Sequence, residues 1–295
     1  MEFWIILVVI AQFFQAIVVL LDKYLVTSPE IPRPAVYAFY VGALSIFPIV
    51  LLPSGLISLP SFVTLKLSAI VGFTFIGAIL FLYTALKWAD ATDVAPFLGA
   101  ITAGATFFFS LKLLQSPLPE HFVAGIVFLI VGMLFVAHFR FHPLAFVFVV
   151  FSGLLFALSS IYMKIMFNQI DFMNAFFWSR MANFVAAMCL LLWPPVFKAV
   201  FSKTKRVSQR TISLVVGNKI LSSLVFLVTL FAIKLGDVSI VNALQGLQFV
   251  FLFIIVGLLG ERRPRYVKEV FRPGHILHKW VAIVLITSGL FVLFI

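Results

Sequence analysis

Charge and cysteine are what this sequence has least of. Only 11% of its 295 residues are Asp, Glu, Lys or Arg, against about a quarter in an ordinary soluble domain. So few charges cannot provide a wetted surface for a chain that is 63% hydrophobic, which excludes a water-soluble fold. The one cysteine, Cys189, lies within an apolar run, leaving no disulfide framework and no cysteine metal site. Acidic residues number ten, and none falls well inside an apolar run. Regular alternation of polar and apolar residues is also missing, and membrane strands need about ten alternating residues each.

What is there is a series of apolar stretches broken every twenty to thirty residues by short polar or proline-containing segments. Their length suits a helix crossing a bilayer, which needs about 20 residues. Ten spans are predicted, at roughly 3 to 21, 35 to 52, 65 to 86, 94 to 114, 121 to 137, 144 to 167, 173 to 193, 211 to 233, 238 to 259 and 279 to 295. Pro34, Pro143 and Pro194-Pro195 fall at boundaries, where a missing N–H costs little. Pro48, Pro53 and Pro96 fall inside or close to spans and predict kinks or early ends. No basic segment precedes the first stretch and no small-residue cleavage site follows it, so it reads as a retained helix and not a signal peptide. The formal charge of +11 sits mainly in two connectors, the pattern of juxtamembrane loops facing lipid headgroups and not of a nucleic-acid surface. The expected fold class is all-α integral membrane, multi-pass in a plasma or inner cell membrane.

An internal repeat appears when ALKWADATDVAPFLGA (Ala85 to Ala100) is laid on AIKLGDVSIVNALQGL (Ala232 to Leu247). Ala85, Lys87, Asp90, Val94 and Gly99 coincide with Ala232, Lys234, Asp237, Val241 and Gly246 at a constant spacing of 147 residues. Both stretches join the third and fourth spans of a five-span unit. Five is odd, so two copies must lie upside down relative to each other, the plan of many secondary transporters. The expected halves are residues 1–138 and 143–295.

On these features the chain resembles the EamA-like branch of the drug/metabolite transporter superfamily. The ninth span with its terminal Gly260-Glu261-Arg262, and the arginine-bearing seventh span FFWSRMANFVAAMCLLL, follow that pattern. The first half departs from it, with Leu114-Gln115 where a Glu is expected and Tyr40 about where the second half carries Arg180. A basic insertion, Arg263 to His278, precedes the last span. The resemblance implies ten transmembrane helices arranged as two inverted five-helix repeats.

Residues expensive to bury in hydrocarbon mark candidate pathway positions, since a central Arg or Lys costs about 2.5 to 3.5 kcal/mol on insertion scales. Arg180 and Lys219 qualify, about two turns into the seventh and eighth spans, with Asn183 and Asn218 beside them. Neither has an evident carboxylate partner, so an anionic solute is an expected counter-charge, with snorkelling to the headgroups as the alternative. Gln12 and Gln15, and Asn242, Gln245 and Gln248, are spaced three or four apart. Each set can share a helical face lining a polar cavity, or can bond between helices. Trp178 and Tyr162, near Arg180 and the Ser159-Ser160 pair, could form an aromatic wall. The first span has no carboxylate, which favours facilitated diffusion or exchange over proton-driven efflux.

The expected function is a secondary transporter, an exporter or exchanger, of small organic metabolites, anionic ones included. It needs no cofactor and works by alternating access. The rival is a flippase for an anionic lipid or lipid-linked sugar. An enzyme is not expected: the one candidate cluster, His138, Arg140 and His142, sits in a tight turn without a carboxylate. The partners are the solute and membrane lipids, with no nucleic acid; oligomeric state is not legible. Connectors after odd-numbered spans carry fifteen Lys or Arg and those after even-numbered spans four. That bias places both termini outside, whereas the resemblance places them in the cytoplasm.

Overall fold

A chain this apolar has little water to satisfy its backbone, so each segment must pair its own N–H and C=O groups, and helices do this within one segment. In the computed structural model every regular element among the described residues is helical. Those residues are 3–27, 34–89, 91–115, 120–136, 143–201 and 208–258, with positions 281, 284, 285, 288, 289 and 292. The helices are α1 (Phe3–Thr27), α2 (Pro34–Ala43), α3 (Phe62–Trp88), α4 (Ala91–Phe109), α5 (Glu120–Val136), α6 (Pro143–Gln169), α7 (Phe172–Cys189), α8 (Pro194–Phe201), α9 (Gln209–Leu235), α10 (Val238–Ala243) and α11 (Leu247–Leu258).

Seven helical segments are long and apolar enough to cross a membrane: Phe3–Thr27, Pro34–Ser54, Phe62–Trp88, Val94–Leu114, Pro143–Gln169, Phe172–Leu192 and Gln209–Leu235. They coincide with seven of the expected spans. The fifth and ninth expected spans are shorter apolar helices, Val123–Leu134 and Val238–Leu252. Most of the tenth, and all of His138, Arg140, His142, Asp90 and 259–280, lie outside the described residues.

Proline acts where the sequence places it. Pro34, Pro143 and Pro194 each open a helix, where the missing N–H would have had no partner. Pro48 and Pro53 coincide with a switch, since the α-helix ends at Ala43 and the chain continues as a 3-10 helix, Leu44–Ser54. Gly55 closes that stretch in the left-handed region at φ 71°, a conformation glycine adopts without strain. The helix starts are capped in matching fashion. Ser61 accepts from the Thr64 N–H at 3.1 Å, and Ser208 accepts from the Thr211 N–H at 3.2 Å. Asp171 caps α7 and Asp237 caps α10.

Packing follows a crossed pattern. α1 lies mainly on α9, and α6 lies mainly on α3. Two lysines tie the helix ends. Lys23 Nζ donates to the carbonyls of Leu86 (2.9 Å) and Ala89 (2.8 Å) at the end of α3. Lys164 Nζ donates to those of Ile233 (2.8 Å), Lys234 (3.2 Å) and Gly236 (2.8 Å) at the end of α9. Leu86 and Ile233, and Ala89 and Gly236, are each 147 residues apart. Both lysines lie within helices, α1 and α6; Lys164 falls inside the sixth expected span, and Lys23 lies past the end of the first at residue 21. Gly99 and Gly246, also 147 apart, approach the same side chain, Met133. The main buried core runs through α1–α7 and α9–α11 as one large cluster.

Candidate functional site

Between the crossed helices lies a cavity of about 180 Å³, drawn from α1, α3, α4, α6, α9 and the α10–α11 segment. Its polar lining is amide and hydroxyl: Gln12 and Gln15 from α1, Ser159 and Ser160 from α6, Ser222 and Thr229 from α9, and Asn242, Gln245 and Gln248. The amides are partly committed to one another. Asn242 donates to Thr106 Oγ1 at 2.8 Å, and Gln245 donates to Asn242 Oδ1 at 3.0 Å. Gln12 Oε1 is buried without a partner, a group left short of about 1 to 3 kcal/mol until something donates to it. The remaining wall is apolar, with Phe75, Phe156 and Phe226 prominent. Such a mixture of apolar surface and a few convergent polar groups is how small-molecule sites are built.

A carboxylate, that of Asp22, also lines this cavity. Its Oδ1 accepts from Tyr37 Oη, Asn218 Nδ2 and Lys219 Nζ, each at 2.7 Å. Its Oδ2 accepts from Tyr83 Oη at 3.4 Å, and Lys219 also donates to Tyr83 Oη at 3.0 Å. The Lys219 ammonium lies 4.5 Å from the Tyr37 ring centroid and 5.4 Å from that of Tyr83. The expectation that Lys219 has no buried carboxylate is therefore corrected: it forms a buried ion pair with Asp22. The first helix does carry a buried carboxylate. The hydropathy boundary at residue 21 stopped one residue before Asp22, whereas α1 continues to Thr27. Gln12, Gln15, Val19 and Asp22 share one helical face, and that periodicity was the available signal.

Arg180 is placed differently. Its guanidinium lies 4.1 Å from the Phe226 ring centroid, 5.1 Å from Phe75 and 5.9 Å from Phe176. With the Asn183 amide oriented to suit both neighbours, Asn183 accepts from Arg180 Nη2 at 2.8 Å and donates to the Ser179 carbonyl at 3.2 Å. Arg180 Nε is buried with no acceptor, and no carboxylate pairs with Arg180 among the described residues. The expected aromatic wall exists, but from other residues than those expected. Trp178 instead donates to the Ser58 carbonyl at 3.2 Å, because residues two apart point to nearly opposite sides of a helix. Tyr162 packs, half-buried, against the main core.

Of the expected site residues, the structure brings Gln12, Gln15, Asn242, Gln245 and Gln248 together around one cavity. Asn218 and Lys219 stand behind Asp22, and Arg180 with Asn183 stands behind Phe75 and Phe226. Asp22, Tyr37 and Tyr83 are the additions that sequence reasoning missed.

No family model and no curated protein matches this chain. A solved structure described only as the crystal structure of a protein is similar to it in fold, with a TM-score of 0.62 at 15% sequence identity, over 97% of this chain and 98% of that one.

Proposed function

We propose that this protein is a secondary transporter of small polar organic metabolites, of the EamA-like kind, in a cell membrane. The observation that carries this reading is the amide- and hydroxyl-lined cavity enclosed between helices of both halves of the chain. Buried polar groups in an apolar slab are costly, and a solute pathway is the usual reason for keeping them. Ten spans as two inverted five-helix repeats fit the contacts. The lysine ties from α1 to α3 and from α6 to α9 fall at equivalent positions, as do the Ser61 and Ser208 caps. Two such halves can rock about the shared cavity and expose it to each side in turn.

The buried Asp22–Lys219 pair revises the coupling argument. A carboxylate within the first helix removes the reason for preferring uncoupled diffusion over ion-coupled transport, and both are open to the carrier. Proteoliposome uptake across amino acids, organic acids, sugars, sugar phosphates and nucleotide sugars tests the reading. Saturable uptake of one class, lost in Asn242→Leu with Gln245→Leu, is expected. Movement of a fluorescent anionic lipid between leaflets, with no soluble solute carried, would favour the flippase instead.

A further inference from the structure

A guanidinium presents five N–H donors in a planar fork and cannot lose its proton in a protein. Arg180 uses few of them on protein acceptors: one hydrogen bond to Asn183, with Nε left unpartnered. The three rings around it, Phe75, Phe176 and Phe226, meet its positive charge through their faces. Faces of that kind stabilise a cation less than a charged hydrogen bond does, and they accept no N–H in its plane. Lys219, on α9 of the same half, has an ion pair with a carboxylate and a hydrogen bond to a tyrosine hydroxyl. Among the described residues Arg180 thus lacks what Lys219 has, a carboxylate partner.

Phe75 and Phe226 also line the central cavity, so one layer of rings separates the guanidinium from it. Their centroids are 5.2 Å apart at 67°, an edge-to-face contact. Ser222, one turn before Phe226, faces the same cavity and offers a hydroxyl.

We infer that Arg180 is an anion-recognition site reached from the cavity past Phe226, taking the carboxylate or phosphate of an otherwise apolar or aromatic molecule. The inference rests on the carrier reading for the solute's route, and it narrows the solute class to organic anions. The anionic group pairs with the fork of the guanidinium, bidentate, while the body of the molecule lies against Phe156 and the other apolar walls of the cavity. The same chemistry is carried by a soluble organic acid and by an anionic lipid headgroup.

Thermal unfolding of the full-length protein in phosphatidylcholine nanodiscs, with phenylacetate or its neutral isostere phenylacetamide, tests the inference. Phenylacetate is expected to raise the Tm with saturation and phenylacetamide to do so far less. Arg180→Gln is expected to weaken phenylacetate binding about ten- to a hundredfold, the loss of one charge-assisted pair. Phe226→Ala, which removes the barrier and keeps the cation, is expected to tighten it and guards against a poorly folded arginine variant. A second arm replaces the solute with phosphatidylglycerol in the disc. If the occupant is a lipid headgroup, the stabilisation appears there and vanishes in Arg180→Gln. Equal shifts with phenylacetate and phenylacetamide, together with no Arg180-dependent response to phosphatidylglycerol, overturn the inference. Neutral solutes entering proteoliposomes while both anion arms stay flat would leave the carrier reading standing and remove only the anion assignment.

Discussion

The α9 contact of α1 and the α7 contact of α3 are closed by different chemistry. In one, Asp22 of α1 meets Lys219 of α9, with Tyr37 and Tyr83 bonding the same carboxylate. The lysine ties relate α1 to α6 by 141 residues and α3 to α9 by 147, and Tyr40 and Arg180 relate α2 to α7 by 140. By those spacings the counterparts of Asp22, Tyr37, Tyr83 and Lys219 are Met163, Phe177, Leu230 and Gly72, all buried and without charge. Gly72 lets α3 run directly against α7, where a Cβ would come within 2.5 Å of the Ala182 backbone. One contact is therefore held by an ion pair with fixed geometry and the other by close apolar packing. Apolar contacts are non-directional and slide cheaply, whereas a buried ion pair is all or none. For a rocking carrier this difference gives the two open states unequal stability and makes the ionic contact the one a bound charge can control.

The comparison breaks most visibly at Lys219. Lys219→Met leaves Asp22 charged and buried, and a loss of about 3 to 5 kcal/mol is expected in thermal unfolding in detergent. The double variant Asp22→Asn with Lys219→Met should recover most of that loss, because neither charge is then stranded. On the apolar side, Gly72→Ala forces α3 and α7 apart, with an expected cost of about 1 to 3 kcal/mol. Next come the two lysine ties. Lys23→Met and Lys164→Met each remove charged hydrogen bonds to helix-end carbonyls. Each should cost about 1.5 to 3 kcal/mol and speed amide exchange at the end of α3 or α9 respectively. Ser61→Ala and Ser208→Ala sharpen the equivalence at smaller scale, at about 1 kcal/mol each.

The smallest effect is at Asp171, outside the membrane-spanning segments. Desolvation pushes its carboxyl pKa up, but hydrogen bonds from the Asn174 backbone and side chain and from the Met173 backbone outweigh it and hold the group below the usual carboxylate range. A depressed folded pKa means the cap contributes fully above the unfolded value and is lost as pH falls through the folded one. Asp171→Asn should flatten the acid limb of a Tm-against-pH curve slightly.

How far the sequence could be read follows from what each signal measures. Hydropathy located the apolar helices well because length and apolarity are properties of the segment alone. It stopped short of Asp22 and Lys23, because a charge satisfied by a distant partner looks in sequence like a helix end. The amide faces on α1 and on the ninth span were legible from three-and-four spacing, and they do meet at one cavity. The aromatic surroundings of Arg180 were not, since Phe75 and Phe226 come from α3 and α9, and only packing brings them to α7. Among 37 phenylalanines, composition cannot single out two.

The central claim is that the cavity between the halves opens to each side of the membrane in turn. Cys189 is the one native cysteine, so a Cys189→Ser background allows single cysteines at the cavity-lining positions Ser160 and Ser222. Labelling by a membrane-impermeant maleimide, applied separately to each face of oriented vesicles, is the direct measurement. The account expects both positions to react from either face, at rates that shift oppositely when a transported solute is added to one side. Reaction from one face only, unchanged by any solute, would contradict it.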